Sequence, residues 1–358
     1  MEGMNHNTTH NESDINVDCP TSHHASVWYK EPLYYVLAVF LLSILVHFIT
    51  AALKIDTLAP YYLALMRFVK IIWWGVLLGL LLGGFIETII PEEYISKLMG
   101  GKGFKTILTS AVLGFFMSAC SHGILSIAVA LFRKGSTTAS ILTFLLAAPW
   151  ANPAITILLI VLFKIKALYL IGGALLIAIT SGAIFQYLEK RGIIEKGHPV
   201  ELEEGYSILA DIKKRKIKLS QTGAILRQML LNSWGLAKMT LYWILIGVII
   251  GSIISGYVPA NFMHHYFGLG IVGMLLTLGL ATIIEICSEG SAPIAFELFR
   301  KTGAFGNTFI FLQAGVITDY TEIGIVATNI GKRAALALPL VAIPQVLLLG
   351  YILNLIIK

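Results

Sequence analysis

The sequence predicts an all-α, polytopic membrane protein in which a leading helix precedes two homologous halves. Composition is the first observation behind this class: 57% of the 358 residues are hydrophobic, 13% are charged and the mean hydropathy is +0.81. Soluble domains average about 25% charged residues. Long apolar runs and a duplicated segment are the other two observations, and together the three exclude a soluble globular domain.

Nine apolar runs are each long enough to cross about 30 Å of hydrocarbon, for which about 20 residues suffice. We therefore expect about nine membrane segments in a multi-pass protein of the cell (plasma) membrane. The first run should be retained as a helix, because polar residues precede it and it is too long for the core of a cleavable signal. The runs cover residues 33–53, 71–90, 106–132, 137–163, 167–188, 236–257, 269–300, 305–330 and 334–357.

The net charge of +6 does not indicate nucleic-acid binding, because the basic residues flank the apolar runs as the positive-inside rule describes. That rule places the basic linker, residues 189–233, on the cytoplasmic side. The polar tail, residues 1–30, has one lysine and is expected outside and disordered. The same rule makes the Arg-Lys pairs at 133–134 and 300–301 cytoplasmic anchors.

A duplicated segment divides the chain. Residues 120–134 (CSHGILSIAVALFRK) and 287–301 (CSEGSAPIAFELFRK) align without a gap at an offset of 167, with nine of the fifteen positions identical. The same offset pairs Asn152 with Asp319. Internal duplication is typical of transporters, whose solute site lies at the repeat interface near the midplane.

The predicted divisions follow from this offset. Four crossings per half would make the repeats parallel, and a re-entrant segment in each half would make them inverted; the sequence leaves both open. The divisions are the tail 1–30, a leading transmembrane helix and loop 31–66, a first permease repeat 67–188, the linker 189–233 and a second permease repeat 234–358.

Polar or helix-breaking residues interrupt apolar segments at matched places in the two halves. Irregular backbone at membrane depth is tolerated only where it faces protein or a water-filled cavity, and transporter helices often break at binding sites. The alternative is that Gly and Ser permit close helix packing and that Cys acts as a small apolar residue. The candidate solute-binding residues are Cys120, Ser121, His122, Asn152, Cys287 and Ser288.

Thiolates prefer soft metals, and an imidazole adds a borderline ligand, so Cys120, His122 and Cys287 form a candidate metal site if the halves pack face to face. Ionisable residues inside membrane segments are costly and are functional candidates by default. Glu285, Glu289, Asp319 and Glu322 are the candidate proton-coupling groups. Glu297 lies beside the basic pair at 300–301 and is interpreted as a structural ion-pair partner.

These motifs together resemble the predicted permease family that includes the organoarsenical efflux permeases. The resemblance rests on the CSxG turn, FLLAAPWANP, CSEGSAPIAFELF and GVITDYTEIG, and it spans both halves. The family pattern often has Cys-x-Cys-Gly in the first half, where this chain has His122 in place of the second cysteine. That change moves the ligand preference toward borderline ions.

The sequence is therefore interpreted as a secondary transporter, an efflux permease for a small soft or borderline solute such as a trivalent organoarsenical or a metal cation. We expect no enzymatic activity and no cofactor, and the expected partners are the lipid bilayer and the solute. A channel is the first alternative, because paired broken helices also form selectivity filters. An intramembrane enzyme is the second, since Cys, His and a carboxylate can form a nucleophilic constellation.

Overall fold

The computed structural model is helical throughout the part of the chain that it describes. That part comprises residues 32–53, 56–89, 99, 103–116, 121–133, 135–197, 222–284 and 287–357. Its α-helices are α1 (Pro32–Ala52), α2 (Ala59–Ile89), α3 (Phe104–Phe116), α4 (Ser121–Arg133), α5 (Thr138–Ala151), α6 (Pro153–Phe163), α7 (Ala167–Lys190), α8 (Thr222–Tyr257), α9 (Ala260–Phe267), α10 (Ile271–Ile284), α11 (Ser288–Thr302), α12 (Phe305–Ile317), α13 (Tyr320–Asn329) and α14 (Lys332–Ile356). This confirms the all-α class.

Local sequence signals explain where several of these helices begin and end. Thr137 caps α5 by accepting a hydrogen bond of 3.2 Å from the Ser140 N–H. Pro153 stands at the first position of α6, where its missing N–H costs nothing. Gly303 ends α11 in the left-handed conformation (φ 69°), which a residue without a Cβ adopts readily.

Six helical stretches among the described residues are long and apolar enough to cross a membrane, or seven if the α9–α10 pair, bent by 102°, counts as one. The expected count of about nine segments is not confirmed. The difference arises because α3, α4, α5 and α11 are too short to span about 30 Å alone. The six stretches are Pro32–Ala52, Ala59–Phe85, Pro153–Lys190, Leu226–Tyr257, Phe305–Asn329 and Lys332–Ile356.

Polar contacts define two opposite ends of the helical bundle. At the first, called the linker end, Glu189 at the close of α7 accepts hydrogen bonds from the backbone of Thr138 and Ala139 in α5. Arg133 of α4 meets Asn329 of α13 there. At the second, called the far end, the chain enters α2 and leaves α8, α6 and α11. The contacts there include Tyr257 with Thr57 (2.8 Å) and Phe163 with Phe299.

The helices fall into two groups according to how they use these ends. The pair α3 and α4, called the linker-end pair, enters the bundle from the linker end and returns to it. The pair α10 and α11, called the far-end pair, does the same from the far end. By contrast, α5 with α6, and α12 with α13, each lead from one end to the other. The most extensive packing between two helices is that of the antiparallel helices α2 and α8.

Helix starts recur at the spacing that relates the two sequence halves. The helices α3, α4, α5 and α6 begin at residues 104, 121, 138 and 153, and α10, α11, α12 and α13 begin at 271, 288, 305 and 320. Each pair of starts differs by 167 residues. The cross-contacts follow the same rule, because α4 packs on α13 and α6 packs on α11.

One expectation about sidedness does not fit this arrangement. Arg133 lies at the linker end and Arg300 at the far end, so the two arginines cannot both anchor the chain to the cytoplasmic side. The helix α1 runs parallel to α8, with Ser43 beside Tyr61. The tail lies outside the described residues, and its predicted location stays a prediction.

Candidate functional site

Four helices begin in the interior of the bundle. The helices α4 and α13 run side by side to the linker end, and α6 and α11 run side by side to the far end. They have 10 to 15 residues each. At 1.5 Å per residue, their first turns lie about 15 to 22 Å from the bundle ends. We call the interior region in which these four helices begin the junction; each helix start contributes a positive partial charge to it.

Close backbone contacts fix two of these helix starts against the long helices. A methyl group on Gly79 of α2 would lie 2.7 Å from the Cα of Ala154 in α6. A methyl group on Gly247 of α8 would clash with the Gly290 carbonyl in α11. Gly79 stands ten residues before the linker-end terminus of α2, and Gly247 stands ten residues before the far-end terminus of α8. Glycine contacts therefore hold the starts of α6 and α11 inside the bundle, away from both of its ends.

The start of α11 presents the second-half cysteine motif. Cys287 is the N-cap residue, and its carbonyl accepts a hydrogen bond of 2.9 Å from Ser291 N–H. The Ser288 hydroxyl donates to the Glu289 carboxyl group at 3.0 Å, and both residues are at least 97% buried. The Cys287 thiol is partly buried and also contacts Glu289. A thiol, a hydroxyl and a carboxyl group thus share one helix turn.

The start of α13 presents two more carboxylates. Asp319 caps the helix by accepting hydrogen bonds from the backbone N–H groups of Thr321 (2.8 Å) and Glu322 (3.0 Å). Glu322 is only 2% exposed, and its Oε1 atom has no hydrogen-bond partner among the described residues. A buried carboxyl oxygen without a hydrogen-bond partner is costly unless the carboxyl group is protonated. Glu322 is thus a buried carboxyl group of the junction for which the charged form is unfavourable.

The first half contributes a neutral cap at the matching place. Asn152 is 3% exposed and caps α6 by accepting a hydrogen bond of 2.9 Å from Ala154 N–H. The backbone of Ser121 and His122 forms the first turn of α4, whereas their side chains fall outside what the structure describes. Cys120 and Glu285 lie outside the described residues altogether.

The structure therefore brings some of the candidate residues together and does not describe the side chains of others. Cys287, Ser288 and Glu289 share one turn, and Asp319 and Glu322 share another. No group of three His, Cys, Asp or Glu side chains suited to a metal ion occurs among the described residues. Of the metal site predicted at Cys120, His122 and Cys287, only Cys287 has a side chain that the structure describes, so the site stays a prediction.

Sequence reasoning missed two polar features near the junction. The Thr318 hydroxyl, just before α13, donates to Thr282 of α10 at 3.0 Å and so links the two broken segments of the second half. The Trp150 indole N–H is buried and has no hydrogen-bond partner in the described structure. Trp150 lies next to the break at Asn152, and a polar-edged aromatic residue beside a helix break was the signal available for it.

Comparison with known proteins identifies the family. The model of the predicted permease family ArsP_1 matches residues 61–355, which cover all described helices except α1, the first two residues of α2 and the last residue of α14. The chain belongs to this family. It is accordingly a multi-pass membrane permease, as the motifs had indicated, and the family gives no support to an enzymatic activity.

Curated relatives agree with this family. The chain is 26% identical over 262 residues to the UPF0718 protein YcgR of Bacillus subtilis, covering 72% of this chain and 84% of the relative. It is 24% identical over 254 residues to a putative two-component membrane permease complex subunit of Streptococcus mutans (68% and 78% covered). It is 21% identical over 248 residues to the putative permease Rv2963 of Mycobacterium tuberculosis (64% and 60% covered). No solved structure matches significantly.

Proposed function

We propose that this permease is a secondary transporter that exports a small soft or borderline solute, and that the solute binds at the junction. The observation that carries the proposal is the presence of four helix starts in the bundle interior, with a cysteine and buried carboxyl groups in the first turns of two of them. Broken helices of this kind form solute and coupling-ion sites in transporters. Candidate solutes are a trivalent organoarsenical and a soft metal cation.

The thiol of Cys287 supports a soft solute. It lies in the first turn of α11 beside Ser288 and Glu289, at a place where the first half has Cys120 at the matched sequence position. Trivalent arsenic and soft metals bind thiolates in preference to oxygen ligands. We propose that Cys120 and Cys287 bind the solute together and that His122 adds a third ligand.

The carboxyl groups support coupling to protons. Glu289 and Glu322 are buried, and neither forms an ion pair among the described residues. Intramembrane carboxylates without a cationic partner are typical proton carriers in pumps and transporters. We propose that Glu322 and Glu289 exchange protons during transport, with Asp319 and Glu285 in supporting positions.

We also propose that the two halves are inverted repeats with the linker end in the cytoplasm. The recurring helix starts support the duplication, and the opposite entry of the linker-end pair and the far-end pair supports the inversion. The orientation rests on the basic linker, residues 189–233, and the positive-inside rule. Seven crossings then result: α1, and in each half one long helix, one broken helix and a final helix.

The experiment is cellular accumulation of candidate solutes measured by elemental mass spectrometry. Sensitive cells would express the wild type or the Cys120→Ser, Cys287→Ser double variant and be exposed to trivalent methylarsenical, arsenite, copper, zinc or cadmium. Cells with the wild type should accumulate about tenfold less of one species than cells with the double variant, which corresponds to about 1.4 kcal/mol. Equal accumulation of every species with both proteins would contradict a soft-solute exporter.

A further inference from the structure

A buried carboxylate fastens α11 at the far end of the bundle. Glu297 is completely buried and accepts hydrogen bonds from Arg67 of α2 at 3.2 Å and from Arg300 of its own helix at 2.8 Å. Both guanidinium groups also donate to the hydroxyl of Ser255 in α8, at 2.6 and 3.1 Å. One cluster therefore joins α2, α8 and α11.

This cluster should be either fully formed or fully broken, with no stable intermediate arrangement. A buried carboxylate is tolerated only while cationic partners compensate its lost hydration, and removing one partner is strongly unfavourable. Both arginine side chains remain about 40% exposed, so the guanidinium side of the cluster lies at the surface of the bundle. If α11 moved away from α2 and α8, Glu297 would separate from Arg67 and be hydrated from that side.

Aromatic packing surrounds the same end of α11. The Phe163 ring at the end of α6 lies 5.6 Å from Phe296 and 6.2 Å from Phe299. Lys166 places its ammonium group 4.6 Å from the Phe299 ring centroid. These contacts close the space between α6 and α11, the two helices that lead from the junction to the far end.

The matching helix at the linker end has no such cluster. The positions that correspond to Glu297 and Arg67 by the offset of 167 are Ala130 and Trp234. Arg133, which corresponds to Arg300, donates to the Asn329 amide oxygen at 3.1 Å and forms no ion pair in the described structure. The end of α11 is therefore held by contacts with a buried carboxylate, whereas the end of α4 is held by a hydrogen bond to a neutral amide.

We propose that the cluster of Arg67, Glu297, Arg300 and Ser255 is a latch that keeps the junction closed at the far end. This inference rests on the proposed function, because it assigns the two bundle ends to the two openings of a transporter. With the latch intact, α11 shields Cys287 from the far side. When it opens, α11 swings away from α2 and α8 and exposes the junction to that side.

Cysteine labelling from one side tests the latch without any transported solute. In a Cys19→Ser, Cys120→Ser background, Cys287 is the one remaining thiol of the chain. A membrane-impermeant maleimide would be added to intact cells and, separately, to inside-out vesicles, and the labelling rate of Cys287 would be measured. The variant Glu297→Gln removes the charge but keeps the shape of the side chain. It should raise the rate from the far side about tenfold and leave the rate from the linker side unchanged.

Two further variants separate the latch from general loosening of the fold. Ser255→Ala removes only the shared hydroxyl and should raise far-side labelling by a smaller factor. Arg133→Gln, the matched change at the linker end, should leave far-side labelling as in the parent. An unchanged rate in both Glu297→Gln and Ser255→Ala, or an equal rise from both sides, would overturn the latch. Neither result would bear on the export assay, which tests the proposed function by itself.

Discussion

The two copies of the LFRK motif end helices that look alike in sequence and differ in surroundings. In the first half, Arg133 closes α4 at the linker end and binds the neutral amide of Asn329. In the second half, Arg300 closes α11 at the far end and binds the buried carboxylate of Glu297. Identical local sequence therefore fixes the helix and its last turn, whereas the path of the chain decides which end of the bundle the turn occupies.

The junction shows the same kind of difference. Asn152 and Asp319 stand at matched positions and perform the same local task, since each accepts a hydrogen bond from the backbone N–H two residues later. The position of Glu322 corresponds to Ile155 in the first half, which is fully buried and apolar. The second half thus has carboxylates at helix starts where the first half has neutral or apolar side chains.

Removing the charge of Glu322 should have the largest effect on transport. The variant Glu322→Gln keeps the volume of the side chain but cannot carry a proton, so export of trivalent methylarsenical should fall roughly tenfold or more, or about 1.4 kcal/mol. Uptake into inside-out vesicles with an imposed proton gradient measures this. The matched first-half variant Ile155→Val should retain transport. Full activity of Glu322→Gln would show that the asymmetry between the halves has no part in coupling.

Exchange of the caps should separate charge from hydrogen bonding. Asp319→Asn places the first-half residue in the second half, and both residues accept the capping hydrogen bonds equally well. The melting temperature in detergent should therefore change little. Asp319→Ala removes the cap and should cost about 1 kcal/mol of unfolding free energy. If the Asn variant were as unstable as the Ala variant, the capping role of Asp319 would be wrong.

The smallest expected effect is a pH-dependent one at the start of α14. Burial opposes ionisation of Glu195, but the backbone N–H groups of Arg333 (3.0 Å) and Ala334 (2.8 Å) outweigh it and hold the pKa of Glu195 below its ordinary value of 4.5. The matching helix α7 has no side-chain cap. Arg333 adds a favourable charge.

A carboxyl group with a lowered pKa in the folded state stabilises the protein above its unfolded pKa, and this contribution is lost as the pH falls through the folded value. The variant Glu195→Gln should therefore melt at a lower temperature than the wild type at pH 7. The difference should shrink as the pH is lowered below about 4.5. Thermal unfolding in detergent at a series of pH values measures this, with Lys196→Gln as the neighbouring control. A difference independent of pH would exclude the carboxylate cap.

Several features of the fold and the site were predictable because they depend on neighbours in sequence. The helix starts at Pro153 and Ser288 each follow from a break in an apolar run, and the offset of 167 relates them to the starts at Tyr320 and Ser121. The candidate residues Glu289 and Glu322 were found because carboxylates stand out in apolar segments. Glu297 was correctly expected to pair with Arg300.

Other features depend on contacts between distant parts of the chain and could not be read from spacing. Arg67 reaches Glu297 across 230 residues, and Ser255 joins the same cluster from a third helix. The expected nine segments are not confirmed, and apolar composition alone could not decide the number, because a helix that enters and returns has the same composition as one that crosses. The hydropathy of such a segment indicates that it is buried in lipid or protein. It does not indicate whether the chain crosses the bundle or returns to the end from which it entered.

The sequence by itself determined the membrane class, the helix boundaries at the breaks, the offset between the halves and the family of this protein. These properties follow from composition, periodicity and local backbone chemistry. Only the tertiary structure decided that the linker-end pair and the far-end pair enter from opposite ends, and that the LFRK turns lie apart with different partners. The physical reason is that the packing of the long helices, such as α2 and α8, sets the bundle end at which a turn lies and the residues that it contacts. No local sequence pattern encodes that packing.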